Sequence, residues 1–246
     1  MKDKSPIVEV KNLTISFGTN HVLKGFSMEV RAGENLAILG KSGSGKSVLI
    51  KCIIKLLIPN SGKIIVLEHD ISKLDDDEMD QLRSKVGFLF QSNALYDSMT
   101  VRQNLEFPLR RHWTKEERRL NAKQAVLEAL EDVGLSHTID MMPAQLSGGM
   151  RKRIALARTL ILKPSVILYD EPTTGLDPIT AREISELMIA VQQKYNATGI
   201  IISHDLTCIK MVSNRVVMLI DGKNYASGTY EDLQHVSDPK VREFFD

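Results

Sequence analysis

The residues most ready for chemistry are Gly40-Lys41-Ser42-Gly43-Ser44-Gly45-Lys46-Ser47, a G-x-x-x-x-G-K-[ST] run. It follows the apolar stretch Leu36–Leu39 and precedes a helix-like run, Val48–Leu57. That strand–loop–helix setting is the one in which such a run cradles phosphate. Its glycines let the chain fold back tightly, so N–H groups between Gly40 and Val48 converge on one anion. The N-terminus of the following helix adds partial positive charge. In a loop of this kind Lys46 reaches the β- and γ-phosphates and the Ser47 hydroxyl ligates Mg²⁺. The run therefore predicts a nucleoside-triphosphate site.

Two further stretches carry chemistry. Val166–Tyr169 is a short apolar strand followed at once by Asp170 and Glu171. Beside a phosphate loop, the first acid holds Mg²⁺ and the second points at the γ-phosphate, where it polarises the attacking water. On its own the pair would read as a solvated strand end. Leu146-Ser147-Gly148-Gly149-Met150 opens a helix with a hydroxyl and two glycines, a second N-terminus able to grip an anion. Either both elements grip one nucleotide in the same molecule, or the second grips a neighbour's; alone it reads as a helix cap.

The elements that must position these groups follow from periodicity. Ile7–Val10 and Leu13–Phe17 alternate as strand, as do the residues around Val22-Leu23 and Met28–Val30. Pro59–Gly62 signals a turn before a strand at Lys63–Leu67, and Asp75–Glu78 opens a short helix. Val86–Phe90 reads as a strand ending at Gln91. Between about residues 92 and 163 the pattern turns helical. Thr114–Glu117 has capping-box spacing, and Ala122, Ala125, Val126, Ala129, Leu130 and Val133 form one stripe closed by Gly134. Alternation resumes with the strands Gly199–Ser203 and Arg215–Ile220, Asp177-Pro178 starting a helix between them and the first strand at Val166. The expected fold is one α/β domain: residues 1–91 and 164–246 form a phosphate-loop core with an antiparallel β subdomain, and residues 92–163 a helical insertion.

Composition sets bounds. The chain has 246 residues, 43% hydrophobic and 26% charged, with a formal net charge of +1, so no basic excess points to nucleic acid. No apolar run approaches the ~20 residues needed to span a bilayer, and Met1–Pro6 lacks the apolar centre of a secretory leader. Cys52 and Cys208 sit in apolar segments without metal-ligand spacing and read as reduced core residues of a cytosolic protein. A membrane role must come through a partner.

The order phosphate loop, Gln91, Leu-Ser-Gly-Gly, Asp170-Glu171, Gly175-Leu176-Asp177 and His204 resembles that of an ATP-binding-cassette (ABC) ATPase, over roughly residues 7–233. The resemblance implies further roles. Phe17 would stack on adenine, and Gln91 would touch Mg²⁺ and water and lead into the surface used by a membrane permease, near Gln91–Tyr96. Asp177 would join the two sites of a homodimer, and His204 would contact the γ-phosphate. It also implies that two copies sandwich two ATP molecules, each between one phosphate loop and the other copy's Ser147-Gly148-Gly149. The segments Leu146–Arg153, Leu95–Val101 and Phe107-Pro108-Leu109 are similar to the ATPases of Mla/MCE phospholipid-transport systems. This implies a cytoplasmic subunit on the inner face of the cell membrane, with a permease, an MCE-type lipid-binding protein and a small regulatory subunit as partners. Met150 departs from the usual Gln of cassettes, and Glu68-His69-Asp70 lacks the glycine usual in that hairpin. The alternatives are a cassette ATPase for another cargo, such as an amino acid or lipoprotein, and a soluble cassette that moves none.

Overall fold

In the computed structural model, which describes residues 6–246, the first two alternating runs are a single bulged strand, β1 (Val8–Phe17). Most of the Met1–Pro6 stretch lies outside the described residues. β1 pairs antiparallel with β2 (Asn20–Val30) on one side and β4 (Ser61–Val66) on the other. The two-residue strand β5 (His69–Asp70) completes this sheet in the order β2-β1-β4-β5. The hairpin between β4 and β5 closes on Leu67 and Glu68, at φ of 49° and 68°. Two non-glycine residues thus adopt the left-handed conformation that the turn demands.

The second sheet runs β10-β9-β3-β8-β7-β6, made of β3 (Asn35–Leu39), β6 (Val86–Leu89), β7 (Val166–Asp170), β8 (Thr198–Ser203), β9 (Arg215–Ile220) and β10 (Lys223–Gly228). All neighbours are parallel except β9 and β10. β3, β7 and β8 are buried along their whole length, as parallel strands covered on both faces must be. Parallel pairing brings the carboxyl ends of β3, β6, β7 and β8 to one edge. Leu39 lies opposite Ser203, Asp170 opposite Ile202, and Leu89 opposite Tyr169. Residues from four distant parts of the chain therefore emerge together, the usual place for a ligand in an open α/β sheet.

The helix after the phosphate loop, α1 (Lys46–Ile53), is shifted from the expected Val48–Leu57. It starts at Lys46 because Gly45 turns left-handed as its N-cap, and it ends early because Lys55 does the same at φ 55°. α2 (Asp76–Ser84) has the Asp75/Glu78 capping box.

Between β6 and β7 stand three helices packed on their own apolar cluster. α3 (Val101–His112) was not expected, because Pro108 breaks its pattern. A Thr100/Gln103 capping box and the buried stripe Val101, Leu105, Leu109 hold it against a proline cost of ~3 kcal/mol. α4 (Lys115–Asp132) carries the Thr114/Glu117 capping box, with Gly134 at φ 68° just beyond its end. α5 (Gly148–Leu160) is capped by Ser147, whose hydroxyl accepts from the Met150 amide.

α6 (Pro178–Tyr195) starts on Asp177 as N-cap, and α7 (Leu206–Val212) follows β8. α8 (Tyr230–Gln234) and α9 (Pro239–Arg242) close the chain, and Val241, Phe244 and Phe245 pack beneath β9. Cys52 and Cys208 are both free and buried. Among the described residues no helix is long and apolar enough to cross a membrane.

Candidate nucleotide site

The loop after β3 wraps a cavity of about 490 Å³. Ser42, Gly43, Gly45, Lys46, Ser47 and Val48 form one wall. Gln91 from the end of β6, Glu171 from β7 and His204 from β8 form the other, with Phe17 at the rim. Phe17 is 49% exposed at the end of β1, an apolar ring left facing water beside the loop. Gly43 and Gly45 sit at φ 79° and 102°, and a Cβ on Gly45 would come within 2.6 Å of Val22 Cγ1. Only glycine fits there. The Ser44 hydroxyl is buried with no hydrogen-bond partner among the described residues.

The Lys46 ammonium is folded back into the loop, donating to the carbonyls of Gly40 at 2.7 Å and Lys41 at 3.0 Å. Glu171 Oε1 lies 4.0 Å away. Burial pulls the Lys46 pKa down, and the Glu171 and Asp170 carboxylates oppose that shift. Ser47 Oγ donates to Asp170 Oδ1 at 2.9 Å. Burial pushes the Asp170 carboxyl above the usual carboxylate range, with the Ser47 bond working against it. No group of three His, Cys, Asp or Glu side chains among the described residues could cage a metal. One hydroxyl and one carboxylate side by side suit Mg²⁺, which prefers few protein ligands plus phosphate oxygens.

Glu171 sits at φ 50°, a left-handed conformation rare for a residue with a side chain. Its amide donates to the Ile202 carbonyl at 2.9 Å, which pins the strained turn to the neighbouring strand. Its Oε2 is held by the Thr174 hydroxyl at 3.0 Å and by His204 Nδ1 at 2.8 Å. A carboxylate is thus aimed into the cavity and steadied from behind.

Lys41 and Ser44 have side chains on the far side of the loop, lining a second cavity of about 410 Å³ where Lys41 pairs with Glu243 at 2.6 Å. Ser147, Gly148, Gly149 and Asp177 lie elsewhere again, on a third cavity of about 370 Å³. Asp177 is occupied by its own helix, accepting from the Ile179 and Thr180 amides and the Thr180 hydroxyl, which hold its pKa low. The predicted residues therefore fall on three cavities, and Ser147, Gly148, Gly149 and Asp177 do not line the one wrapped by the phosphate loop of the same chain.

Residues 23–174 match the family model described as ABC transporter. The chain is a member of the ABC transporter ATPase family. Its reaction is ATP hydrolysis, with ATP and Mg²⁺ as the bound species. The chain is 38% identical over 238 residues to the intermembrane phospholipid transport system ATP-binding protein MlaF of Haemophilus influenzae, covering 97% of this chain and 89% of that protein. It is also 38% identical over 237 residues to the probable ribonucleotide transport ATP-binding protein mkl of Mycobacterium leprae, covering 96% and 68%. Among solved structures it is similar to a dimeric ATP-binding cassette in a post-hydrolysis state bound to ADP and Pi. There the TM-score is 0.80 at 32% identity, covering 91% of this chain and 98% of that one.

Two residues of this ABC ATPase were missed in sequence. The residue order assigns no role of their own to Lys152 or Arg158 of α5, yet Lys152 is 2% exposed and donates to the Gln91 carbonyl at 3.1 Å. Helical spacing was the available signal, since Lys152 shares the face of the buried Ala155 and Leu156.

Proposed function

We propose that this chain is one of two identical ATPase subunits driving phospholipid transport through a separate membrane permease. The observation that carries the dimer is the separation of the two half-sites. The phosphate loop and the Ser147-Gly148-Gly149 helix start line different cavities of one chain, so a nucleotide contacting both needs a second copy. The dimeric state of the similar solved cassette supports the same reading.

In this reading Gly40–Val48 hold the triphosphate, Lys46 swings from the Gly40 and Lys41 carbonyls to the phosphates, and Phe17 stacks on the base. Ser47 and Asp170, with Gln91, hold Mg²⁺, which supplies neutralising charge at the phosphate oxygens. Glu171 takes the proton of the attacking water. His204 steadies Glu171 and meets the γ-phosphate. Ser147, Gly148 and Gly149 close on the partner's nucleotide, and Asp177 stands at the junction.

The permease meets the protein near Gln91–Tyr96, where Tyr96 and Phe107 stack at 4.7 Å while both stay more than 40% exposed. An exposed aromatic pair of this kind suits a docking surface. The chain then sits at the inner face of the cell membrane, with an MCE-type lipid-binding protein and a small regulatory subunit as further partners. The phospholipid cargo is supported by the relative named for intermembrane phospholipid transport and by the similar segments around Leu95–Val101 and Phe107–Leu109. An equally identical relative is named for ribonucleotide transport. Purification of the endogenous complex in mild detergent, with mass spectrometry of bound small molecules, separates them. A glycerophospholipid held in the complex is expected; a complex carrying ribonucleotide cargo and no lipid would overturn the phospholipid reading.

A further inference from the structure

The loop that follows β6 is fastened from one side only. Lys152 Nζ donates to the Gln91 carbonyl at 3.1 Å. Arg158, also on α5, donates to the carbonyls of Asn93 at 3.0 Å and Ala94 at 2.7 Å. Asn93 and Ala94 both lie in the left-handed region, at φ 64° and 52°. Just upstream, Thr159 Oγ1 donates to the Phe88 carbonyl at 3.3 Å. Farther along, Asn104 of α3 holds Tyr96 through both its amide and its carbonyl. Among the described residues no hydrogen bond reaches Gln91–Tyr96 from the phosphate loop or α1. The segment is bonded to the helical insertion although Gln91 lines the nucleotide cavity.

A buried ammonium with one carbonyl partner is a poor way to stabilise a protein. It has three donors to satisfy and a charge to desolvate, and an apolar side chain of the same reach fills the space at least as well. The Asp170 and Glu171 carboxylates also draw the Lys152 charge, and its bond to the Gln91 carbonyl sets a fixed distance between α5 and that loop. Arg158 provides the same two residues farther on, with its planar fork spanning two successive carbonyls.

We propose that Lys152 and Arg158 are positioning residues that clasp the Gln91–Tyr96 segment to α5, so that the two move as one body. The N-terminus of α5 carries Ser147-Gly148-Gly149, and the clasped loop carries Gln91 and Tyr96. A nucleotide engaged at one end of α5 therefore displaces the docking segment through α5, in addition to any pull on Gln91 from the nucleotide cavity. This rests on the proposed docking of a permease at Gln91–Tyr96 only for its consequence in the complex. The clasp itself is a property of the single chain.

The test is hydrogen-exchange mass spectrometry on the full chain, without nucleotide and with ATP, for the parent, Lys152→Met, Arg158→Met and Lys152→Arg. The Asn93 and Tyr96 amides, which donate to the Phe90 carbonyl and to Asn104 Oδ1, are expected to make the 91–97 peptide exchange about tenfold faster in each Met variant, as loss of a charged hydrogen bond that holds the segment implies. The thermal midpoint and ATP affinity should hold at parent values, and Lys152→Arg should restore slow exchange. In the intact complex, where a partner's nucleotide can reach Ser147–Gly149, ATP should alter exchange in 93–97 and 147–153 together in the parent; in the Met variants 147–153 should respond and 93–97 should not. In the intact complex kcat should fall while KM holds. Parental exchange in 91–97 in both Met variants would overturn the clasp. So would a uniform rise in exchange across the chain with a lowered midpoint, the mark of a merely structural role. Should Lys152→Met not fold, Arg158→Lys keeps the charge but not the fork, and carries the same exchange test. Normal complex yield with Tyr96→Ala would reject the docking reading and leave the exchange result standing.

Discussion

The two half-sites of this molecule are built on opposite principles. The phosphate-loop side is made from strand ends, and it is costly as it stands. It has a desolvated lysine folded onto carbonyls and a glutamate in a left-handed turn. The Ser147–Gly149 side is nearly at rest. The Ser147 hydroxyl is already bonded to the Met150 amide, Asp177 is satisfied by its own helix, and a Cβ on Gly148 would meet nothing within 4 Å. The difference teaches which side recruits the nucleotide. A site that holds a desolvated lysine and a strained glutamate gains by binding on its own, whereas a helix start with satisfied groups and open space gains only when a phosphate is presented to it.

The sharpest division should appear with Glu171→Gln. The change keeps size and hydrogen bonding but removes the carboxylate proposed as the base, so hydrolysis should fall by ~10²–10⁴. ATP affinity should persist, because Lys46, Ser47 and Asp170 are untouched. Steady-state rate measurement beside calorimetry checks both, and parental turnover would break the assignment of Glu171.

Lys46→Ala strikes the recruiting side itself. Loss of one charge-assisted contact should weaken ATP binding by about one to two decades. Calorimetry with ATP on the single chain measures this, and unchanged affinity would remove the reason for treating this half as the one that binds.

The subtlest change belongs to the resting side. Gly148→Trp finds open space within its own protomer, so folding and ATP affinity should match the parent. ATP-dependent pairing of two chains should nevertheless be lost, which sedimentation in the Glu171→Gln background would show. Gly149 is unsuitable for this test, since a Cβ there would lie 2.7 Å from Thr180 Cγ2 within the same chain. Persistent ATP-dependent pairing of the Gly148→Trp protein would overturn the division into half-sites.

Much of this was legible in the residue order alone. The phosphate loop is a local device, because its glycines, lysine and serine act through backbone turns within eight residues, and so its spacing states its chemistry. The capping residues Asp75, Thr114, Ser147 and Asp177 likewise act within one turn and marked helix starts correctly. Strand existence followed from alternation, and the helical insertion from a change of period. α3 was hidden because Pro108 argues locally against a helix that only packing of Val101, Leu105 and Leu109 sustains.

What only the tertiary structure decided is which groups share a space. Parallel pairing of four strands, set by burial on both faces, brought Gln91, Glu171 and His204 to one cavity and left Ser147–Gly149 on another. Nothing within a few residues of Glu171 announces its left-handed turn, since the amide that fixes it reaches across to Ile202 on the adjacent strand. Lys152 is the clearest case. In sequence it stands in a run of basic residues beside Arg151 and Arg153, and charge alone argues for solvent. Its burial depends on which face of α5 meets the loop after β6, a matter of packing between segments some sixty residues apart.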